Sequence, residues 1–579
     1  MTPRGDERDE ADERDDIDAI DDIDDIDDID DIEDSTGADE TSGAHDGAAA
    51  WLADYRDEHL MEVESYVASR GGIVHLVGAG PGDPGLLTVR ARALLDVCDA
   101  IVYDALAHPA LLARSRADRP APELHDVGKR GGDARSVPQE EINALLVRLA
   151  REGKNVVRLK GGDPLVFGRG SEEAQALTEA GVAFDLVPGV TAGIAAPAYA
   201  GIPVTHRGMS TSVTFVTGHE APGKAASQTD WGALARAGGT IVLYMGVKQL
   251  PAIAAALMDG GLPGEIPAAA IQWGTYPRQR TVVATLETLA DEMARAELAA
   301  PVITVIGWTV VLRDEIAWFD RRPLFGRRVL VTRPARGSAL AARLAMLGAD
   351  VLELPATRLE RLDPAPLREA LWGLDEYEWV VFTSQHAVEL FWEELRAAGR
   401  DARALAGAKL AAVGPATSAA LLARGLAVDV QAERFVAEGV LAALASRDDV
   451  AGARVLHVAA EGARPVLRDG LEGLGAVVDS VAPYRSVPDA AAAAPLREAV
   501  ERGEVDLVTF TSASTVRAFV EAVGAEWARR VPAASIGPAT SEAAREAGLE
   551  VRVEAAESTL DGLVTAVLEA GPMLWERDA

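Results

Sequence analysis

An α/β chain of several lobes is what this sequence predicts, and three observations predict it. Runs rich in β-branched residues at 72–77, 100–103, 155–159, 212–217, 240–244 and 302–306 alternate with Ala, Leu, Glu and Arg-rich stretches of helical composition, the pattern of strands joined by crossover helices. At 321–326 a short stretch containing Arg, Pro and Gly precedes a new strand at 328–332, which places a domain boundary there. Beyond it the chain repeats itself. Trp379-Val-Val-Phe-Thr-Ser-Gln385 is echoed by Leu507-Val-Thr-Phe-Thr-Ser-Ala513, and Ala412-Val-Gly-Pro-Ala-Thr-Ser418 by Ser535-Ile-Gly-Pro-Ala-Thr-Ser541. Phe382 and Phe510 lie 128 residues apart and Gly414 and Gly537 lie 123 apart, spacings close enough to predict two similar α/β lobes.

The folded elements begin late in the chain. Residues 1–46 hold 22 Asp and Glu against 3 Lys and Arg, a net −19, which is more than half of the formal −35 of all 579 residues. From Asp15 to Asp34 the chain cycles through Asp-Asp-Ile; like charges at that density repel, and isolated Ile residues cannot offset the entropy of ordering, so a disordered acidic arm is expected. Residues 47–71 read as a short helical lead-in. The length suits three or four units of ordinary size, and 48% apolar with 25% charged residues excludes both disorder throughout and a collagen-like chain. No basic block offsets the acidic balance, so nucleic acid is not an expected partner. Cys98 is the only cysteine, which excludes an intramolecular disulfide. An acidic N-terminus without an apolar core, and no run of about 18 apolar residues, predict neither export nor a membrane span. A cytoplasmic protein is expected.

The first strand runs into Val77-Gly-Ala-Gly-Pro-Gly-Asp-Pro-Gly-Leu-Leu-Thr88, which opens a helix. Gly80, Gly82 and Gly85 mimic the spacing of a dinucleotide loop. Pro81 and Pro84, however, each remove a backbone N–H that a pyrophosphate would need, and Asp83 sets a carboxylate beside it. A ligand without phosphates suits the loop better.

Further along stand Arg158-Leu-Lys-Gly-Gly-Asp-Pro-Leu-Val-Phe-Gly-Arg-Gly-Ser-Glu-Glu173, Val187-Pro-Gly-Val-Thr-Ala192, Gly201-Ile-Pro-Val-Thr-His-Arg207, Thr217-Gly-His219, Tyr244-Met-Gly246 and Gly274-Thr-Tyr-Pro-Arg-Gln-Arg280. With the glycine loop, these motifs over roughly 72–320 resemble uroporphyrinogen-III C-methyltransferase, a member of the tetrapyrrole methylases. The resemblance implies a two-lobed α/β fold with S-adenosylmethionine between the lobes, no metal, and a homodimer formed through this half. It implies a cofactor pocket of Pro81, Gly161, Gly162, Asp163, Val166, Thr191, Ala192, Met245 and Gly274, with Asp104 as proton acceptor and Lys129, in Gly128-Lys-Arg130, as proton donor. Methyl transfer to a pyrrole carbon needs alignment behind the methyl group and then loss of a proton, which suits those two roles. A substrate with eight carboxylates makes Arg130, Arg135, Arg158 and Lys160 candidate partners through charge-assisted pairs. The loop Gly131-Gly-Asp-Ala-Arg135 lacks the His that members often carry after Gly-Lys-Arg, so its substrate contacts stay open. His206 and His219 are expected to be structural, because neither stands at metal-ligand spacing from other donors.

Residues 327–570 carry no catalytic triad, zinc motif or phosphate loop. Val329-Leu-Val-Thr-Arg-Pro334, the duplicated Phe-Thr-Ser and Gly-Pro-Ala-Thr elements, and Ala482-Pro-Tyr-Arg485 resemble uroporphyrinogen-III synthase. This resemblance implies two lobes joined by two crossings, 327–356 plus 486–570 and 357–485, with 571–579 as a tail. It also implies closure of linear hydroxymethylbilane with inversion of the last ring. Thr383, Ser384, Thr417, Thr511, Ser512 and Thr540 are expected to face the cleft, Arg333 and Arg485 to pair with substrate carboxylates, and Tyr484 to assist loss of the hydroxyl. Together the halves would turn hydroxymethylbilane into precorrin-2 by cyclisation and two methylations, for sirohaem or cobalamin. No dinucleotide-binding domain precedes residue 72, so dehydrogenation with iron insertion is not expected. Two alternatives remain open: a methyltransferase acting on another corrinoid intermediate with the second half as a binding partner, and a two-lobed sensor fused to a methylase.

Overall fold

A computed structural model describes residues 62–63, 65–67, 71–112, 120–128, 137–218, 229–332, 338–432 and 437–575. The acidic arm lies outside them, as do Lys129, Arg130, Arg135, His219 and Arg333. Of the lead-in, 62–63 and 65–67 are helical. The described residues from Gly71 onward form one compact unit.

Among the described residues, four sheets carry this unit. The first holds β1 (Val74–Gly78), β2 (Ala100–Tyr103), β3 (Glu123–Asp126), β4 (Val156–Lys160) and β5 (Phe184–Val187), all parallel in the order β3-β2-β4-β1-β5. Strand β1 starts two residues after the predicted start because Gly72 takes a φ of +79°, outside the strand region. Val74, Leu76, Val102 and Val156 point to one face, where the helix Gln139–Arg151 covers them with Ile142, Leu146 and Leu149. That helix carries Glu140 and Glu141 in its first turn and Arg148 and Arg151 in its last, matching its dipole.

The second sheet is mixed: β6 (Val213–Thr217), β7 (Thr240–Tyr244), β8 (Pro267–Gln272), β9 (Arg280–Thr285) and β10 (Val302–Ile306), in the order β6-β7-β10-β8-β9. Strand β10 runs antiparallel to both β7 and β8, so β7 and β8 share one direction and end at the same edge.

In the C-terminal half come β11 (Arg328–Val331), β12 (Asp350–Glu353), β13 (Thr357–Arg361), β14 (Trp379–Phe382), β15 (Lys409–Ala412), β16 (Val430–Gln431), β17 (Arg454–Ala460), β18 (Val477–Pro488), β19 (Leu507–Phe510), β20 (Ala533–Ser535) and β21 (Val551–Glu554). One parallel sheet has the order β12-β11-β19-β20-β21 and the other the order β13-β18-β17-β14-β15-β16. The chain crosses between them after β12 and after β18. Strand β18 continues to Pro488, three residues past the expected crossing, because β13 pairs antiparallel along it from Arg361↔Tyr484 to Thr357↔Pro488. The repeat seen in sequence is β14 with the helix Gln385–Ala397, and β19 with the helix Ala513–Val523. Val380 and Phe382 in one lobe, and Val508 and Phe510 in the other, pack under those helices.

The second of these sheets buries a histidine. His457 on β17 is 5% exposed, with Nδ1 3.1 Å from Ser480 Oγ and no protein partner for Nε2 among the described residues. Burial, with Arg468 as a smaller cause, pushes its pKa down to about 4. Folded and unfolded chains both hold the ring neutral at pH 7. Between about pH 6.5 and 4 the unfolded chain gains a proton that the folded chain refuses, so stability falls as pH falls, by about 3 kcal/mol at the acid end. Thermal unfolding followed from pH 7 to 4.5 should show this acid loss shrinking in His457→Gln, whose side chain does not titrate; an unchanged pH slope would assign the loss to other groups.

Candidate functional site

Strands β4, β1 and β5 are neighbours, and the three loops leaving their C-terminal ends carry most of the expected cofactor residues. In open parallel sheets that edge is where ligands bind. Pro81 follows β1; Gly161, Gly162, Asp163 and Val166 follow β4; Thr191 and Ala192 follow β5 and open the helix Ala192–Tyr199. Met245 follows β7 and Gly274 follows β8, on the shared edge of the second sheet.

The loops are tied to one another through backbone. Gly80 N donates to Gly162 O at 3.2 Å and Gly162 N to Gly80 O at 2.7 Å. A Cβ on Gly78 would come within 2.6 Å of the Gly189 backbone and 2.7 Å of Gly162 O, so three main chains meet where no side chain fits. Asp163 spends its carboxylate on this junction. Its Oδ1 accepts from Leu165 N (2.8 Å) and Val166 N (3.2 Å) and its Oδ2 from Gly189 N (3.1 Å), which joins the β4 and β5 loops.

Two further links reach the second sheet. Thr191 Oγ1 is 2.6 Å from Tyr244 OH, which also accepts from Gly193 N at 2.7 Å. Asp83 N donates to Thr275 Oγ1 at 3.0 Å, and Asp83 Oδ2 accepts from Tyr199 OH at 2.7 Å. Burial pushes the Tyr244 phenol up, and burial together with the Asp83 carboxylate pushes Tyr199 up, so both stay neutral. Met245, Trp273 and Thr275 hold φ values of 53°, 51° and 71°, and Phe167 and Arg169 in the β4 loop hold 53° and 61°. Five non-glycine residues in the left-handed region in the loops after β4, β7 and β8 are a local concentration of strain, of the kind found at ligand sites. Met245 is 52% exposed, a large apolar side chain left uncovered at this edge.

Asp104 stands just past β2 with its side chain 23% exposed, and its Oδ1 accepts from Arg158 Nη2 at 2.7 Å. Arg158 and Lys160, expected to meet substrate carboxylates, are instead interior. They lie two residues apart on central strand β4 and therefore share a face, with side chains 2% and 4% exposed. Glu173, in the first turn of the helix Gly170–Glu179, receives both: its Oε1 is 3.1 Å from Arg158 Nε, 2.8 Å from Lys160 Nζ and 3.1 Å from Gln139 Nε2. Burial, followed by the Arg158 charge, pulls the Lys160 ammonium below the usual lysine range. Two cations and two carboxylates thus form a row that begins in the interior and ends on Asp104 at the crevice. Arg158 orients the carboxylate that faces out.

In the C-terminal half the hydroxyls also gather at C-terminal strand ends, but several are spent locally. Ser384 and Ser512 cap the helices that follow β14 and β19: Ala387 N donates to Ser384 Oγ (3.0 Å) and Thr515 N to Ser512 Oγ (3.3 Å). Thr383 and Thr511 are half-buried just before those caps. Thr417 and Thr540, expected in the cleft, are buried. Each shares a helix face with a buried residue four positions on, Leu421 and Ala544. Arg485 does not share a face with Tyr484, because neighbouring residues of β18 point oppositely; it pairs with Glu360 across the ladder at 3.2 Å. Tyr484 is buried with its OH 2.8 Å from Ser384 Oγ.

Glu173, Tyr244, Thr275, Tyr199 and His386 were not selected from sequence. Glu173 had a signal: an Arg and a Lys at i and i+2 on a strand flanked by apolar residues require a buried counter-charge. The tyrosines had none, since a strand-end or helix-end tyrosine is ordinarily a packing residue.

The chain thus holds two two-lobed α/β halves in series, the first with glycine loops from two sheets meeting beside an oriented carboxylate, the second with duplicated lobes, which is the class of a two-lobed methylase joined to a two-lobed synthase. Known proteins agree. Residues 74–290 match the model of the tetrapyrrole (corrin/porphyrin) methylases, and 338–565 match that of uroporphyrinogen-III synthase HemD. The porphyrin biosynthesis protein HemD of Ruminiclostridium josui is 37% identical over 505 residues, covering 86% of this chain and 98% of the relative. Uroporphyrinogen-III C-methyltransferase of Bacillus subtilis (strain 168) is 43% identical over 361 residues, 62% of this chain and 73% of the relative; that of Synechocystis sp. (strain PCC 6803) is 51% identical over 239 residues, 41% and 89%. The chain belongs to the tetrapyrrole-biosynthesis family that joins a uroporphyrinogen-III C-methyltransferase to a uroporphyrinogen-III synthase. Among the described residues no helix is long and apolar enough to cross a membrane, and no cluster of metal-ligating side chains occurs.

Proposed function

We propose that the C-terminal half closes hydroxymethylbilane to uroporphyrinogen III with release of water, a hydro-lyase reaction, and that the N-terminal half methylates this product at C2 and C7 to precorrin-2. The observation that carries the second step is the meeting of the β1, β4, β5, β7 and β8 loops around main chain kept bare by glycine. Bare main chain supports close approach of an uncharged or zwitterionic ligand, and the Asp83 carboxylate disfavours a polyphosphate. The residues that would hold S-adenosylmethionine are Gly80–Gly82, Gly161, Gly162, Thr191, Ala192, Met245 and Gly274. When bound it supplies an electrophilic methyl group. Asp104, held by Arg158, takes the proton that the methylated ring loses, and Lys129 is assigned the return of a proton.

The reading includes a cytoplasmic homodimer formed through the methylase half, for which exposed Trp308, Val311, Ile316 and Trp318 supply apolar surface. The test gives the full chain hydroxymethylbilane and S-adenosylmethionine and follows products by mass and isomer. Type III product carrying two added methyl groups is expected. Only the spontaneous type I isomer would remove the synthase reading, and unmethylated type III product would remove the methylase reading.

A further inference from the structure

The departure of a hydroxyl group from the hydroxymethyl carbon of a linear tetrapyrrole needs a proton, because hydroxide is a poor leaving group. Tyr484 is a weak source of one. Its phenol is buried, and that burial pushes its pKa up, offset in part by the hydrogen bond to Ser384 Oγ and reinforced a little by the Glu389 carboxylate. An imidazole stands beside it. His386 is the second residue of the helix Gln385–Ala397, at the C-terminal edge of β14 where the Phe-Thr-Ser element ends. Its ring packs edge-on against Tyr484 with centroids 4.8 Å apart, and its Nδ1 is 3.0 Å from Glu389 Oε2, one turn along. The side chain is 24% exposed, so the pair sits at the opening rather than in the core.

We propose that His386, oriented by Glu389, is the acid–base residue of the synthase half, with Tyr484 placed to hold the substrate's hydroxyl in its reach; this rests on the cyclisation reading above. A carboxylate on Nδ1–H fixes the ring so that Nε2 is the nitrogen left for substrate. In the first step Nε2–H gives its proton to the hydroxyl oxygen, the C–O bond breaks with its electron pair going to oxygen, and water leaves. The electron pair of the ring nitrogen stabilises the resulting cationic methylene. That carbon bonds to the substituted α-carbon of the last ring, the bond from there to the neighbouring methylene bridge breaks and re-forms at the ring's free α-carbon, so that the ring is inverted, and the proton displaced there in restoring the pyrrole returns to Nε2. The histidine ends as it began, and the sum is substrate to macrocycle plus water. The duplicated lobe carries no such group at this place: Ala513 and Ser514 follow Ser512, whose Oγ meets Ser514 and Thr515 among the described residues. The two lobes therefore share a capped helix but differ in chemistry.

Charged and titratable neighbours of this edge are Glu389 and Glu393 on the same helix, Tyr484 on β18, Arg361 on β13 paired with Glu393, and Arg368 paired with Glu394. Full-length His386→Gln and Glu389→Gln are compared with the native chain for production of type III isomer over a pH series. Methylation of separately supplied uroporphyrinogen III and the thermal unfolding profile report folding. His386→Gln is expected to lower type III formation by about 10²-fold and to remove the inflection on the alkaline side, where the imidazolium is lost. Glu389→Gln, which loosens the ring without removing it, should cost a smaller factor in type III formation. Native rate and pH profile in His386→Gln would overturn the proposal, as would a slower reaction with the inflection unmoved. Should the native chain form only type I product, the cyclisation reading itself fails instead.

Discussion

Asp104→Asn should lower methyl transfer by about 10² to 10⁴-fold while leaving cyclisation at the native rate. Asparagine keeps the shape and an oxygen that can accept from Arg158 Nη2, now 2.7 Å from Asp104 Oδ1. It cannot take a proton at crevice pH. The loss should therefore fall on turnover and not on affinity for the demethylated cofactor, which the proposed reading assigns to the glycine loops. The measurement is methylated product from supplied uroporphyrinogen III beside type III isomer from hydroxymethylbilane, both with one protein preparation. Equal loss of both activities would show that the sites are not separable, and unaltered methylation would remove Asp104 from its role.

Glu173→Gln should destabilise the N-terminal half by about 3–5 kcal/mol, the usual result of deleting one partner from a buried ion pair. The carboxylate is wholly buried, and its Oε1 alone faces Arg158, Lys160 and Gln139. Without its charge, two cations remain in the interior with only Asp104 to offset them. Lys160, already pulled below its usual range, would shed its proton more readily, and Arg158 would be free to tilt away from Asp104. Methylation should fall with stability. Calorimetry of the full chain should show one part of the unfolding moving to lower temperature while cyclisation persists. Glu172→Gln is the control, since its pair with Arg169 is half in water, with each side chain 48% exposed, and contributes little. Equal effects of the two substitutions would mean that the buried row is not a unit.

Much of the fold was legible in the sequence. The strands at 100–103, 240–244 and 302–306 coincide with β2, β7 and β10, because apolar runs bounded by turn residues leave little freedom of register. The loop residues after β1, β4, β5, β7 and β8 were legible through motif likeness, and Gly78, Gly162 and Gly189 show why glycine recurs there: main chain touches main chain. Side-chain direction was not legible. Arg158, Lys160, Thr417 and Thr540 were all expected to meet substrate, and all are buried. Ser384 and Ser512 looked like substrate contacts, yet the same sequence position is also a helix cap.

By itself, then, the sequence determined the alternation of strand and helix, the duplication in the C-terminal half, and the families to which the two halves belong. These follow from local periodicity and from motifs contiguous along the chain. The tertiary structure decided which charges face a ligand and which face each other. Glu173 meets Arg158 and Lys160 from the next helix, Tyr244 meets Thr191 from another sheet, and Tyr484 meets Ser384 across 100 residues. Whether a polar group is spent or available depends on partners far away in sequence, and burial strengthens those pairings by removing the water that would compete for them.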